Sequence, residues 1–137
     1  MFSASVPLPP AAIEAVAAVT ALSAAFAVKH LVADFLMQTS AMARGKERVA
    51  GWLLPLLAHV LCHGVLTLLI VLAVAPRLWW LAVVECVVHL AVDRCKTILA
   101  RRGGWRPDQP QFWWLLGLDQ CLHQLTNIAL AGAIVLL

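Results

Sequence analysis

Histidine and aspartate recur in this sequence at a spacing of four residues, inside segments that are otherwise apolar. The spacing occurs four times, and the four pentads together contain all five histidines of the chain. The pentads are HLVAD (30–34), HVLCH (59–63), HLAVD (89–93) and DQCLH (119–123). Residues i and i+4 lie about 40° apart around an α-helix, so each pentad places two ionisable groups on one helix face.

Imidazole and carboxylate groups gathered in this way are ligands that divalent metal ions prefer. Imidazole suits Zn, Fe, Cu and Ni, and carboxylate adds Mn and Mg character. Four-helix bundles build such sites from side chains on facing helices. The sequence therefore predicts a site for one or two ions, with Zn favoured and Fe or Mn as alternatives. The predicted ligands are the two ends of each pentad: His30, Asp34, His59, His63, His89, Asp93, Asp119 and His123.

Other polar residues near the pentads are expected to support this chemistry. A metal-bound water becomes a hydroxide nucleophile near neutral pH, and Glu85 or Asp34 is the expected general base. Lys96 is expected to hold an anionic group. Lys29 is interpreted as a packing or interfacial residue and Lys46 as a basic loop residue. Three amide side chains are expected to support the ligands or to join helices by hydrogen bonds: Gln38, Gln120 and Asn127.

The composition indicates an integral membrane protein. The chain has 137 residues, enough for a single domain. It is 63% hydrophobic and 12% charged, which is too apolar for a soluble globular protein. The net charge of +3 is too small to suggest a nucleic-acid partner. The four cysteines form no C-x-x-C motif and are interpreted as small apolar residues. Because no Lys or Arg precedes Lys29, no cleavable signal peptide is expected.

Four segments are long enough to cross about 30 Å of hydrocarbon as helices. The predicted helices cover residues 10–42, 52–74, 77–100 and 111–136, and an extended lead, SVPLPP (5–10), precedes the first. We therefore predict an all-α fold, a four-helix transmembrane bundle that forms one domain around a polar His/Asp core. The lipid bilayer is an expected partner, and homo-oligomerisation is left open.

The loop charges predict an orientation. The loops at residues 43–51 and 101–110 are basic, whereas the turn at 75–77 contains only Arg77. The positive-inside rule places both basic loops in the cytoplasm and both termini outside. In this orientation the three pentad aspartates and His59 form a layer near the cytoplasm, and the other four histidines form a deeper layer.

Several functions are compatible with this pattern. The leading hypothesis is a metal-dependent hydrolase that acts from the cytoplasmic side on a membrane-embedded or amphiphilic substrate, a lipid or a phosphate ester. The first alternative is a divalent-cation or proton transporter that uses the same cluster. Against it, the outer halves of the helices are apolar. A haem-binding redox bundle is a second alternative, which gives the aspartates no role. A hydrogen-bonded His–Asp core without metal is the simplest.

The ordered motifs resemble those of a family of small bacterial membrane proteins, DUF3307, whose function is unknown. The resemblance rests on HLVADFLMQ, Lys46, HVLCH, HLAVDRCK and LDQCLHQ, which span about residues 27–127. The family pattern H-x3-D-F-x2-Q, Lys, H-x3-H, H-x3-D-x2-K and D-Q-x2-H maps onto His30, Asp34, Phe35, Gln38, Lys46, His59, His63, His89, Asp93, Lys96, Asp119, Gln120 and His123. The resemblance implies a multi-pass protein of the bacterial inner membrane. The motifs are also similar in style to those of membrane-bound metal-dependent hydrolases, by analogy only.

Overall fold

The computed structural model describes residues 8–137, and every regular element within them is helical. Ser5, Val6 and Pro7 of the predicted extended lead lie outside the described residues. The all-α prediction is confirmed. The helices are α1 (Pro10–Leu31), which continues as a π-helical segment (Val32–Met37), α2 (Ser40–Lys46), α3 (Leu53–Val74), α4 (Leu81–Gly103) and α5 (Pro110–Leu136).

The four long helices form a closed ring around a common core. α3 packs against α4, α4 against α5 and α5 against α1, and α1 also contacts α3. The short α2 folds back against α3. Pro10 and Pro110 lie in the first turns of α1 and α5, where the missing N–H has no intrahelical partner to lose. Gly104 follows α4 in the left-handed conformation, with φ of 63°, that terminates many helices.

The core has an apolar end and a polar end. Phe26 precedes the first pentad, Val71 follows the second, Leu81 precedes the third and Leu130 follows the fourth. An apolar cluster therefore closes the bundle at the end opposite the two basic loops. We call this cluster the apolar end; its buried members are Phe26, Val71, Leu78, Leu81, Leu130 and Ala131.

The structure corrects the prediction of one helix over residues 10–42. The α-helix ends at Leu31, and the six residues of the π-helical segment follow it. Gln38 is extended, with φ of −70° and ψ of 108°, and stops the helix. The Thr39 hydroxyl then accepts a hydrogen bond from the Met42 backbone N–H at 3.2 Å and caps α2. An apolar composition alone does not reveal this reversal of direction.

The structure also corrects the predicted start of the third helix. α4 begins at Leu81 and not at residue 77, because Pro76–Leu78 form a 3-10 turn.

Two segments are long and apolar enough to cross a membrane, namely Pro10–Met37 and α3. α4 and α5 are long enough, but they do not meet the same criterion of composition. Charged residues such as Arg94, Lys96 and Arg101 in α4, and amide residues such as Gln120, Gln124 and Asn127 in α5, lower the mean hydropathy of these two helices. By composition, the described residues thus contain two candidate spans, and spans by α4 and α5 remain a prediction.

α3 and α4 approach each other closely at Gly64, where an added Cβ would overlap Cys86 Sγ. We expect Gly64→Ala to lower the free energy of unfolding by about 1–3 kcal/mol, the usual cost of overpacking a core. Thermal unfolding of the detergent-purified protein measures this change. Gly117→Ala is the matched control, since no heavy atom lies within 4 Å of its added Cβ. Adding Cys86→Ala to Gly64→Ala should restore most of the loss. Equal stability of the two alanine variants would contradict the close approach.

Candidate metal centre

The pentads of the four long helices meet in the polar half of the bundle. Seven of the eight predicted ligands are at most 4% exposed. The eighth, Asp34, has a side chain that is 15% exposed. The structure therefore buries ionisable groups from four helices together, and such groups require countercharges, hydrogen bonds or ions.

Four histidines, one from each long helix, form a closed ring. The distances between ring centroids are 5.1 Å for His30–His63, 3.9 Å for His63–His89, 4.1 Å for His89–His123 and 5.2 Å for His30–His123. His59 lies next to this ring, with its centroid 4.8 Å from that of His63. All five histidines of the chain thus belong to one cluster.

Within the cluster, Asp34, His59, His63 and His89 each direct one ligand atom towards a common point. Asp34 Oδ1 lies 3.0 Å from His63 Nε2 and 3.4 Å from His59 Nε2. His59 Nε2 lies 3.3 Å from His89 Nε2. The four ligand atoms are all within 4.8 Å of one another. Ligands of a tetrahedral Zn²⁺ with bonds of about 2.0–2.1 Å are roughly 3.3 Å apart. We call these four residues the Asp34 centre.

The π-helical segment carries Asp34 into this position. The segment packs against α3, which supplies two of the three histidines of the centre. A π-helix has a wider turn than an α-helix, and such turns are frequent at functional sites. Ala33 is fully buried beside Asp34, and Gln38 Nε2 donates to the Asp34 carbonyl oxygen at 3.2 Å. The irregular backbone therefore sets where the carboxylate lies.

A second group, His89, Asp93 and His123, also has ligand atoms within 4.8 Å of one another. His123 Nε2 lies 3.4 Å from Asp93 Oδ1. The other oxygen of this carboxylate, Oδ2, accepts a hydrogen bond of 2.6 Å from Lys46 Nζ. We call these three residues the Asp93 group. It already contains a cation, because the Lys46 ammonium is bound to its carboxylate.

Lysines neutralise three of the four buried or half-buried carboxylates of the cluster. Lys29 Nζ lies 2.7 Å from Glu85 Oε1, Lys46 Nζ lies 2.6 Å from Asp93 Oδ2, and Lys96 Nζ lies 3.3 Å from Asp119 Oδ2.

Asp34 is the exception. Within residues 8–137 its carboxylate has ion-pair partners only among the histidines, at positions 30, 59 and 63. A buried carboxylate without a permanently charged partner is costly, because histidine is cationic only when it is protonated. The one carboxylate of the cluster that no lysine neutralises therefore lies where the ligand atoms of the Asp34 centre come together.

Glu85 lies on the side of the histidine ring that faces the apolar end, and it is 2% exposed. Its Oε1 is 3.7 Å from His63 Nδ1 and 3.6 Å from His89 Nδ1. Lys29 Nζ, bound to the same oxygen, is 3.4 Å from His63 Nδ1. A carboxylate at the outer nitrogen of a metal-binding histidine fixes the ring orientation. The predicted catalytic role of Glu85 stays a prediction, and its contacts are those of a residue that orients ligands.

The structure corrects the interpretations of Lys29 and Lys46. Lys29 is 4% exposed and bound to Glu85, and Lys46 is 9% exposed and bound to Asp93. Lys46 reaches the core because α2 folds back against α3. The signal that could have identified Lys29 is its position within an apolar segment, where a lysine generally requires a buried partner.

The remaining predicted residues lie at the margins of the two groups. Lys96 contacts Asp119 and comes within 4.0 Å of Asp93 Oδ1. Gln120 Nε2 donates to Asp119 Oδ2 at 3.2 Å. Asn127 is buried but donates to another amide, Gln124, at 3.4 Å, and not to a predicted ligand. Two predicted ligands lie outside both convergent groups, namely His30 and Asp119. None of the four cysteines belongs to either group.

A family model described as "Protein of unknown function (DUF3307)" matches residues 22–137. No curated protein and no solved structure matches the chain. The matched region contains all four pentads and most of the chain. Because the family description assigns no activity, the function has to be inferred from the geometry and charge of the cluster.

Proposed function

We propose that this chain, which belongs to the DUF3307 family of proteins of unknown function, binds one divalent metal ion and uses it to hydrolyse an ester. The observation that carries the proposal is the Asp34 carboxylate, which has no lysine partner among the described residues and lies within 4.8 Å of one ring nitrogen each of His59, His63 and His89. The donor set and its spacing favour Zn, with Fe or Mn as alternatives. The Asp93 group is not assigned a second ion, because Lys46 supplies its positive charge.

The chemistry requires a water at the metal and a group that accepts its proton. Bound Zn²⁺ can lower the pKa of a water to about 7. Asp34 is the most exposed of the four ligands, so we assign the water to its side of the centre. The second carboxylate near the centre is Asp93, whose Oδ2 lies 3.6 Å from His59 Nε2, but its pairing with Lys46 makes it a weak proton acceptor, so we assign the proton to the Asp34 carboxylate. Glu85, with Lys29, orients His63 and His89.

We further propose that all four long helices cross the membrane, with the basic loops in the cytoplasm. Each has at least 22 residues and is therefore about 33 Å long or more. The outward faces of α4 and α5 support this proposal, because they expose Val83, Val87, Leu122, Leu125 and Ile128. Exposed tryptophans lie near opposite ends of the bundle, as in interfacial belts: Trp79 and Trp80, and Trp113 and Trp114.

Two features favour an enzyme over the alternatives. A transporter needs a polar path to both membrane faces, but Phe26 and Val71 are fully buried at the apolar end. A haem needs a wide cavity between its axial histidines. The space beside His30, His89 and His123 is too small to hold a water molecule.

Elemental analysis of the detergent-purified protein tests the metal assignment. We expect about one equivalent of Zn, Fe or Mn per chain, and a chelator should lower Tm by about 10–20 °C, since saturation near 1,000 Kd contributes about 4 kcal/mol. Metal-free protein that takes up none of these ions would contradict the proposal.

Metal-restored protein should then hydrolyse phosphate or carboxylic esters of lipids. A loaded protein that cleaves neither class would contradict the enzymatic half.

A further inference from the structure

A groove of about 420 Å³ lies at the basic-loop end of the bundle. It is formed by the last turns of α4, the loop that follows and the first turns of α5. Its volume is in the range of small-molecule sites, about 300–1,000 Å³. The polar lining residues are Lys96, Thr97, Arg101, Arg106 and Glu47, and the larger apolar ones are Trp105, Phe112, Leu115 and Leu116.

Lys96 connects this groove to the candidate metal centre. The side chain lines the groove and is 19% exposed. Its ammonium lies 3.3 Å from Asp119 Oδ2 and 4.0 Å from Asp93 Oδ1. Asp93 Oδ2 in turn lies 3.6 Å from His59 Nε2, a ligand atom of the Asp34 centre. Two side-chain contacts therefore separate the groove from the metal ligands.

The lining combines positive charge with an apolar wall. Three cations, Lys96, Arg101 and Arg106, face the groove together with a single carboxylate, Glu47. Guanidinium groups bind phosphate through two parallel hydrogen bonds, and lysine adds a point charge. Phe112 and Leu115 offer a surface for a hydrocarbon chain. This combination is complementary to a molecule with an anionic head and an apolar tail.

We propose that the groove is a binding site for a lipid with a phosphate monoester headgroup. The headgroup binds Lys96, Arg101 and Arg106, and the acyl chain lies along Phe112 and Leu115.

Binding is tested on the metal-free protein in chelator, which separates it from catalysis. The probe is a monoacylglycerol phosphate with a brominated chain, and the readout is quenching of tryptophan fluorescence. Trp105 lines the groove, so Trp105→Phe should remove most of the saturable quenching. We expect the matching uncharged monoacylglycerol to bind at least about tenfold more weakly, since a hydrogen bond to a charged group contributes about 1.5–3 kcal/mol. Inorganic phosphate should compete only at much higher concentration.

Two arginine variants provide the matched comparison. Arg106→Gln should weaken binding of the phosphorylated probe by about tenfold or more. Arg102→Gln removes the same charge from the end of α4, outside the groove, and should leave the affinity unchanged. Three results would overturn the proposal. The first is an equal loss of affinity in the two arginine variants. The second is an equal affinity for the uncharged lipid, and the third is inorganic phosphate that binds as tightly as the phosphorylated lipid.

The failure of this proposal is distinguishable from the failure of the proposed function. If the protein holds one metal equivalent but does not bind the phosphorylated lipid, only the assignment of the groove is wrong. If the protein binds the phosphorylated lipid but takes up no metal, the hydrolase assignment is wrong. The groove then remains a site for an anionic lipid.

Discussion

Replacement of Asp34 by asparagine is expected to remove the bound metal ion, whereas the same replacement at Asp119 is expected to leave about one equivalent in place. The amide keeps the size of the side chain but supplies no negative charge. Loss of an outer partner of a metal ligand costs about 10–100-fold in affinity, so loss of a direct carboxylate ligand should cost more than about 100-fold. Asp119 is paired with Lys96 and lies outside both convergent groups.

The measurement is metal content after equilibration with a competing chelator of known affinity. Both variants remove one carboxylate of the cluster, so a general effect of lost charge would affect them alike. Retention of the ion in Asp34→Asn and its loss in Asp119→Asn would move the site away from the Asp34 centre. Loss in both variants would indicate that the ion depends on the charge of the whole cluster.

Lys29→Met is expected to be the most destabilising single change in the polar core. It leaves the carboxylate of Glu85 buried without its lysine, and breaking a buried ion pair costs about 3–5 kcal/mol. For a chain of this length the corresponding fall in Tm is about 10–20 °C. Arg44→Met, which removes an exposed cation from α2, should change the free energy of unfolding by less than about 0.5 kcal/mol.

The double variant Lys29→Met/Glu85→Gln separates the ion pair from simple packing. Neutralising both partners should recover most of the lost stability, because neither side then leaves an uncompensated charge. The metal affinity of the double variant should still be lower than that of the native protein by about 10–100-fold, since the carboxylate beside His63 and His89 is gone. A double variant as unstable as Lys29→Met would show that the lysine stabilises the protein by some other contact.

The spacing of the pentads predicted which residues meet, because the geometry of an α-helix fixes the angle between positions i and i+4. A polar stripe on an apolar helix must also face other stripes, so four stripes predicted one cluster. The spacing did not predict which ligands converge. His30 and Asp119 belong to pentads as regular as the others, yet both lie outside the convergent groups. Whether two ligands meet depends on how each helix is rotated about its axis and how far it is shifted along that axis. A local sequence pattern does not predict either quantity.

The features that the sequence did not predict depend on contacts between distant segments. Lys29 and Glu85 are 56 residues apart, and Lys46 and Asp93 are 47 residues apart. Neither pair produces a periodic signal. The π-helical segment is mainly apolar, like the helix before it. A hydropathy profile therefore does not distinguish its wider turn from an α-helix. The fold-back of α2 is indicated only by Thr39, which on its own is a weak cap signal.

The apolar end has an electrical consequence. In the proposed orientation the ionisable groups lie in the cytoplasmic half of the bundle, and Phe26, Val71 and Leu130 fill the other half. The membrane potential contributes about 2.3 kcal/mol per elementary charge for each 100 mV across the full membrane. With the cluster in the cytoplasmic half, a metal ion or proton that enters the Asp34 centre from the cytoplasm would cross less of that field than one that traverses the whole bundle. We therefore expect its binding to depend less on the membrane voltage than a complete crossing would.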